Sequence, residues 1–391
     1  MNMRERFLSI MDFEPPDRTL LWEWGYWGGT LERWYGEGLP RLQGLREPVT
    51  FGGTVAGPGA AWGSGVLNVQ PAPDVSQFCQ LDPPRHTIPL ENFIYPAFEE
   101  RVVAEEGDRL VVVDGMGVTL RKRKDDASLP EFLAWPVANR EDWERLKAER
   151  FQVRIHERLP ANWPEVVQQY HQRDYPLAIA SGYCGFFGSL RALMGEVNLF
   201  YAYYDQPDLI RDILNFLTDF WIEIYGYVLK DVMPDSAEFW EDMAYKNGPL
   251  ISPAAFREFM LPCYQKLIGF LRENGVRHFC VDTDGDCWSL IPLFLEAGMT
   301  GMLPFEVQAG MDIVAVRRAF PRLQIYGGID KRALAQGKEA IDRELEAKVP
   351  ALLRQGGYIP FADHLVHPEV SWGNFIYYRR RLAEMAGRYK D

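Results

Sequence analysis

The sequence predicts a single α/β chain folded as a (β/α)8 TIM barrel, with an N-terminal extension and hairpin decoration. Three observations carry this. From about residue 131, short apolar runs alternate with amphipathic ones at the repeat of roughly 25–45 residues that βα units give. Five successive strand-like runs end in acids or a histidine just before a helix begins: Glu241-Asp242, Asp282 to Asp284, Glu306, Asp330 and Asp363-His364. A barrel brings all such ends to one mouth, whereas an open doubly wound sheet uses only its switch point. Finally, 391 residues suit one large barrel with additions. The whole chain, 1–391, is expected to be one domain, with 1–130 as extension and lid and 131–391 as most of the barrel.

Residues 3–12 read as an amphipathic helix stopped by Pro15-Pro16. Asp17 to Trp27 follows as a strand with an aromatic exit, and residues 30–38 read as helical. The Gly/Pro-rich stretch 43–75 has no period and is expected to be an excursion or lid. Residues 97–124 alternate around Asp114-Gly115-Met116-Gly117 and predict antiparallel hairpins. Their basic run Arg121 to Lys124 meets Asp125 and Asp126 at once, which fits a solvated strand end better than a phosphate site.

Helices near 141–148 and 154–173 lead to a strand at Pro176–Ser181. The glycines of Gly182 to Gly188 lack the Lys-Ser/Thr pair of a phosphate loop and are expected to let backbones pack closely beside a pocket. A long helix from about Pro207 to Lys230 precedes the strand Ser236–Trp240, and Ser252-Pro253 supplies an N-cap and first residue for the next helix. Then come the run from Val276, a helix near 288–297, the strands Gly301–Pro304 and Gln324–Tyr326, a helix at 336–354 and a last strand at Gly357–Phe361.

The stretch Val276 to Asp286 organises the rest. In an extended strand His278, Cys280, Asp282 and Asp284 share one face, and Gly285 permits a sharp turn after them. One acid suffices to cap the following helix, so two on one face point to chemistry at the mouth. His278 and Cys280 come earlier and are expected to be buried packing; His367, before Pro368, is expected to be loop structure. The groups gathered at the mouth are Glu241, Asp242, Asp282, Asp284, Glu306, Asp330, Asp363 and His364. Acids this close need a divalent metal, a cationic substrate, or one member held protonated as a general acid. Asp282, Asp284 and His364 offer a mixed oxygen and nitrogen ligand set suited to zinc or another divalent ion. Glu241, Glu306 and Asp284 are the catalytic expectations, and Trp22, Trp24, Tyr26, Asp242 and Asp330 the substrate-binding ones.

Composition sets bounds. A net charge of −13 argues against nonspecific nucleic-acid binding. Five scattered cysteines suggest reduced thiols and a cytoplasmic setting, and no apolar run predicts a membrane span or signal peptide. A homodimer is compatible with all of this.

Several motifs resemble the uroporphyrinogen decarboxylase superfamily: Cys280-Val-Asp-Thr-Asp-Gly, Leu303-Pro-Phe-Glu306, Tyr326-Gly-Gly-Ile-Asp-Lys331, Gly356-Gly-Tyr-Ile-Pro, Asp363-His-Leu-Val-His-Pro368, Tyr204-Asp-Gln-Pro-Asp208 and Leu250-Ile-Ser-Pro253. The resemblance implies a (β/α)8 barrel and either decarboxylation of a porphyrinogen or methyl transfer with a corrinoid or a thiol. True decarboxylases of this type carry arginines near the N-terminus for substrate carboxylates. Here Leu20 to Trp27 contains none, which weighs against a polycarboxylate substrate. Thiol-type methyltransferases carry His-x-Cys-Gly where this chain has Asp282-Thr-Asp284-Gly285, and His364 falls near their later cysteine. The ligand set is harder, fitting an oxygen-containing substrate. The expected function is methyl transfer between a small methylated substrate, a methoxylated aromatic being one candidate, and a corrinoid supplied by a partner protein. The alternatives are a decarboxylase or lyase of a smaller carboxylate, and a non-catalytic tetrapyrrole- or corrinoid-binding protein.

Overall fold

Seven short parallel strands follow one another around a curled sheet in the computed structural model, which describes residues 1–46, 48–49, 53–59, 70–124, 130–180 and 182–387. They are β1 (His86–Thr87), β2 (Leu177–Ile179), β3 (Ser236–Trp240), β4 (His278–Thr283), β5 (Gly301–Pro304), β6 (Gln324–Tyr326) and β7 (Tyr358–Ile359), each beside its neighbour in sequence. That order is what right-handed βα connections give in a barrel. Strand β4 lies at the middle, with Cys280 beside Glu238 of β3 and Gly301 of β5. Its two faces separate as alternation requires. Phe279 and Val281 pack outward into the main core under the helices, while Cys280 packs inward with Trp22 and Tyr326.

The eighth position is filled differently. Residues 19–24 run between β7 and the chain leading into β1, but mostly without a backbone ladder. The Thr19 hydroxyl donates to Tyr358 O (3.3 Å), Leu21 N donates to Asp82 Oδ2 (2.8 Å), and Trp22 Nε1 donates to Pro83 O (2.9 Å). Further along, Ala362 N donates to Glu23 Oε1 (3.0 Å). Pro83 and Pro84 have no N–H to offer a neighbouring strand, so side chains of Asp82 and Glu23 take over the work of the ladder. Glu23 is itself fully buried against Arg379 of the helix Trp372–Gly387 (3.2 Å).

The structure corrects the reading of Asp17 to Trp27 as one strand: only Gly25–Trp27 is β, and it pairs antiparallel with Thr54–Ala56. The single helix expected over 154–173 is two, Ile155–Arg158 and Trp163–His171, with Pro160 between them. The hairpins expected at 97–124 form a four-stranded antiparallel sheet, Arg101–Glu106, Arg109–Val113, Thr119–Arg123 and Glu131–Ala134. Strand β1 lies inside the 1–130 stretch assigned to the extension, so the barrel begins earlier than its alternating texture. Of the expected lid, residues 47, 50–52 and 60–69 lie outside the described residues, as do Asp125, Asp126 and Ser181.

The N-terminal helix Met3–Met11 begins with a capping box between Asn2 and Glu5 and presents Phe7, Ile10 and Met11 to the barrel interior. There Gln324 Nε2 donates to Met11 O (2.9 Å) and to His278 Nδ1 (2.9 Å), closing the floor opposite the mouth. The long outer helix Pro207–Val228 buries Ile210, Ile213, Leu214, Leu217, Trp221, Ile224 and Val228 at three- and four-residue spacing, the stripe that seats it on the barrel.

Candidate active site

At the C-terminal ends of the strands, one carboxylate oxygen from each of Asp242, Asp282 and Asp284 lies within 4.8 Å of the others. His364 Nε2 stands 3.4 Å from Asp284 Oδ2, and the Trp24 ring stacks on the His364 ring with centroids 6.2 Å apart. Asp284 and His364 keep 32% and 25% of their side-chain surface open, so both are partly accessible at the ends of the strands.

Asp242 reaches the group from the turn after β3. Its backbone is left-handed (φ 46°), which costs a non-glycine residue about 1–3 kcal/mol and persists only when held in place. Arg191 holds it, donating to Asp242 O (3.0 Å) and Oδ2 (3.0 Å) with its guanidinium over the Trp240 ring. The backbone amide of Glu241 is fixed on Asp282 O (2.9 Å). On the other side, Gly285 turns with φ 76°, so close to Ala244 O that a Cβ would stand 2.5 Å away.

The electrostatics separate the three acids. Burial, then the charges of Asp242 and Asp284, push Asp282 well above the ordinary carboxylate value. Burial and Asp284 raise Asp242 to about 6, against the pull of Arg191. Burial also opposes a charge on Asp284, but His364, Lys331 and Arg191 outweigh it and hold its pKa below the usual range. Burial alone would depress His364, and Asp284 more than reverses that, so it lies above an ordinary histidine. Asp284 and His364 therefore form a charged pair, with Asp282 as the protonated member.

The remaining expected residues divide. Glu306 is at the site, accepting from Gly285 N (3.1 Å) and from Lys331 Nζ (3.2 Å). Asp363 is fully buried beneath it, accepting from Val307 N (2.8 Å) and Lys331 N (3.0 Å). Glu241 points away from the cluster: Phe186 N and Gly188 N donate to its two oxygens (2.6 and 2.7 Å), so it caps the helix Phe186–Met194. Its pKa is pushed up to about 8 by burial. Asp330 caps the helix Lys331–Ala335 and is clasped by Arg332 (2.9 Å). Trp22 lies deeper, packed on Phe7, and Tyr26 lies in a separate core beside Trp34 and Phe375. Trp24 alone of the three aromatics meets the site. His278 and Cys280 are buried below it, 3% and 1% exposed.

Arg191 and Lys331 were not singled out in the sequence. Lys331 follows Asp330 inside a quoted motif, but a lone lysine at a helix start reads as surface. Arg191 sits on a helix whose partner, Asp242, is 51 residues away.

The donor set fits a divalent metal. With Asp282 protonated, four ionised carboxylates (Asp242, Asp284, Glu306, Asp363) face three cations (Arg191, Lys331 and protonated His364), and a divalent ion would offset that excess together with the charge Asp282 would take on as a ligand. Asp242, Asp282 and Asp284 would hold the ion with His364 beside them, an oxygen-rich set for zinc or a harder ion.

Comparison with known proteins agrees with this architecture. A methyltransferase from Methanosarcina mazei shares the fold with a TM-score of 0.59 and 14% identity, covering 100% of both chains. Among curated proteins, none matches the sequence. The family described as uroporphyrinogen decarboxylase (URO-D) matches residues 106–378, from the antiparallel sheet through every barrel strand after β1 to the C-terminal helix. The chain belongs to the uroporphyrinogen decarboxylase (URO-D) family.

Proposed function

We propose that this protein is a methyltransferase that moves a methyl group from a small methylated substrate, of the methoxylated-aromatic kind, to a corrinoid carried by a partner protein. The observation that carries the reading is the convergence of Asp242, Asp282 and Asp284 beside His364 at the barrel mouth. A divalent ion held there would withdraw electrons from the methyl-bearing oxygen and make it a better leaving group. The chain's own groups do the rest. Trp24 gives the substrate an apolar wall against the His364 ring, and Asp284 keeps that imidazole oriented. A cation bound among the three carboxylates would offset the repulsion of Asp242 and Asp284, so that Asp282 would hold it in the ionised form. The methyltransferase of like fold supports the architecture of this reading; the carboxylates support its chemistry.

The raised pKa of Asp282 favours one second reading, a decarboxylase or lyase in which that acid delivers a proton to the carbanion left by CO₂. Two measurements on protein purified without chelator decide. The methyltransferase is expected to hold about one divalent ion per chain, lose activity with a chelator, and methylate cob(I)alamin from a methyl ether. Release of CO₂ from a carboxylate by metal-free protein, with no methylation, would overturn it in favour of the lyase.

A further inference from the structure

We propose that Lys331 is a positioning residue that aims Asp284 through Glu306 and the Gly285 amide, and that divalent-ion affinity depends on this chain of contacts. The inference rests on the metal-site reading above and adds to it the residues that set its geometry.

Lys331 is nearly sealed from solvent, its side chain 2% exposed. Its Nζ donates to Glu306 Oε1 (3.2 Å) and lies 3.9 Å from Asp363 Oδ1. Glu306 uses its other oxygen, Oε2, to accept the Gly285 amide (3.1 Å). Gly285 is the residue directly after Asp284 and turns with a left-handed backbone open to glycine, so a hydrogen bond to its amide bears directly on the direction in which Asp284 leaves the strand. Asp363 completes the frame by accepting the amides of Val307 and Lys331. One ammonium thus ties the ends of β4, β5, β6 and β7 together at the mouth. Without it, two buried carboxylates, Glu306 at 14% and Asp363 at 0% exposure, would face each other with no cation between them. Glu306 would then swing toward solvent and release the Gly285 amide, and Asp284 would lose its direction. Glu306 acts in this scheme as a link rather than as an acid or base.

The test uses Lys331→Met, which nearly preserves shape, Glu306→Ala, which removes the link while leaving Lys331 beside Asp363, and the double variant. Two quantities are read on each: exchange of the Gly285 amide by NMR, which needs no metal, and the affinity for zinc by calorimetry. Each single variant is expected to speed Gly285 exchange and weaken zinc binding by about 10–100-fold, the range for residues that orient a ligand. In the double variant the Gly285 effect should equal that of Glu306→Ala alone, because the influence of Lys331 passes through Glu306. Unchanged Gly285 exchange in Lys331→Met, or additive effects in the double variant, would overturn the inference whatever zinc does. Normal zinc affinity in Lys331→Met with faster exchange would overturn its second half. Should the wild type bind no zinc, the metal reading falls, and the exchange data still decide whether Lys331 holds the turn. If Lys331→Met fails to fold, Glu306→Ala carries the exchange test alone, with unchanged Gly285 protection rejecting the link.

Discussion

His278 opens β4 and Asp284 follows its last residue; burial opposes a charge on both, and their neighbours decide differently. Asp284 keeps its charge because His364, Lys331 and Arg191 surround it. Exchanging it for Asn preserves shape and removes the charge. We expect activity to fall by two to three orders of magnitude, about 3–4 kcal/mol of transition-state stabilisation, while the thermal midpoint barely moves. Steady-state turnover and a melting curve on the same preparation check this; retained turnover rejects the role. His278 is neutral instead. Burial depresses it to about 4, Asp12 pulling upward and Arg277 downward, while Nδ1 accepts the Gln324 amide. The unfolded chain, with its histidine near 6.5, binds the proton first. Stability should therefore be lost as pH falls from about 6.5 toward 4, by up to about 3 kcal/mol. Urea titrations at pH 7 and pH 5 should show that loss in the wild type and a smaller one in His278→Gln.

At the level of elements, the helix Phe186–Met194 meets β3 with almost no space between backbones. A Cβ on Gly185 would stand 1.9 Å from Trp240 O, and one on Gly188 2.5 Å from the same atom. Gly185→Ala should push the helix outward, loosen the Glu241 cap, and destabilise the protein by about 1–3 kcal/mol, as overpacking does; the midpoint of urea unfolding reports it. Here the sequence was informative, since a glycine-rich exit loop without a phosphate signature implies close packing. The alternation of β4 was legible for the same reason: period two leaves His278, Cys280 and Asp282 one possible face, with Asp284 just past the strand's end. What could not be read was which acids serve as caps. Glu241, Asp330 and Asp363 occupy the same kind of strand-end position as Asp242 and Asp284, yet spend their oxygens on amides. That choice depends on where distant helices begin, and on Arg191 and Lys331, whose partners are fixed only by the assembled barrel. The strand at 19–24 was overread because its aromatics suit a ladder that Pro83 and Pro84 do not provide.

For the whole molecule, the sheet's closure depends on a buried ion pair. Glu23 is fully buried, and it accepts the amides of Ala362 and Trp24 (3.0 and 3.1 Å) as well as Arg379. Removing only the cation strands that carboxylate. Arg379→Met should cost about 3–5 kcal/mol, and adding Glu23→Gln should recover part of it, because the uncompensated charge is then gone. Equal unfolding free energies for the single and double variants would show that shape, not charge, is what Arg379 supplies.

The same closure orders events in time. Thr19 and Glu23 emerge early from the ribosome, but their partners Tyr358 and Arg379 follow 339 and 356 residues later. Until those partners are made, the side of the segment that faces the last strand is open, and Trp24 waits without Phe361 and His364. Consecutive βα units can pair as they appear, since each lies beside its predecessor. Leu21 and Trp22 can meet Asp82 and Pro83 early, but the contacts of this segment with the last strand and the C-terminal helix come at the end, against a long loop-closure cost. Trp24 is part of that segment and Asp284 is not, so the carboxylate cluster can assemble before its aromatic wall arrives. A nascent chain stalled short of residue 379 would carry most of its barrel, yet its mouth would still lack a side.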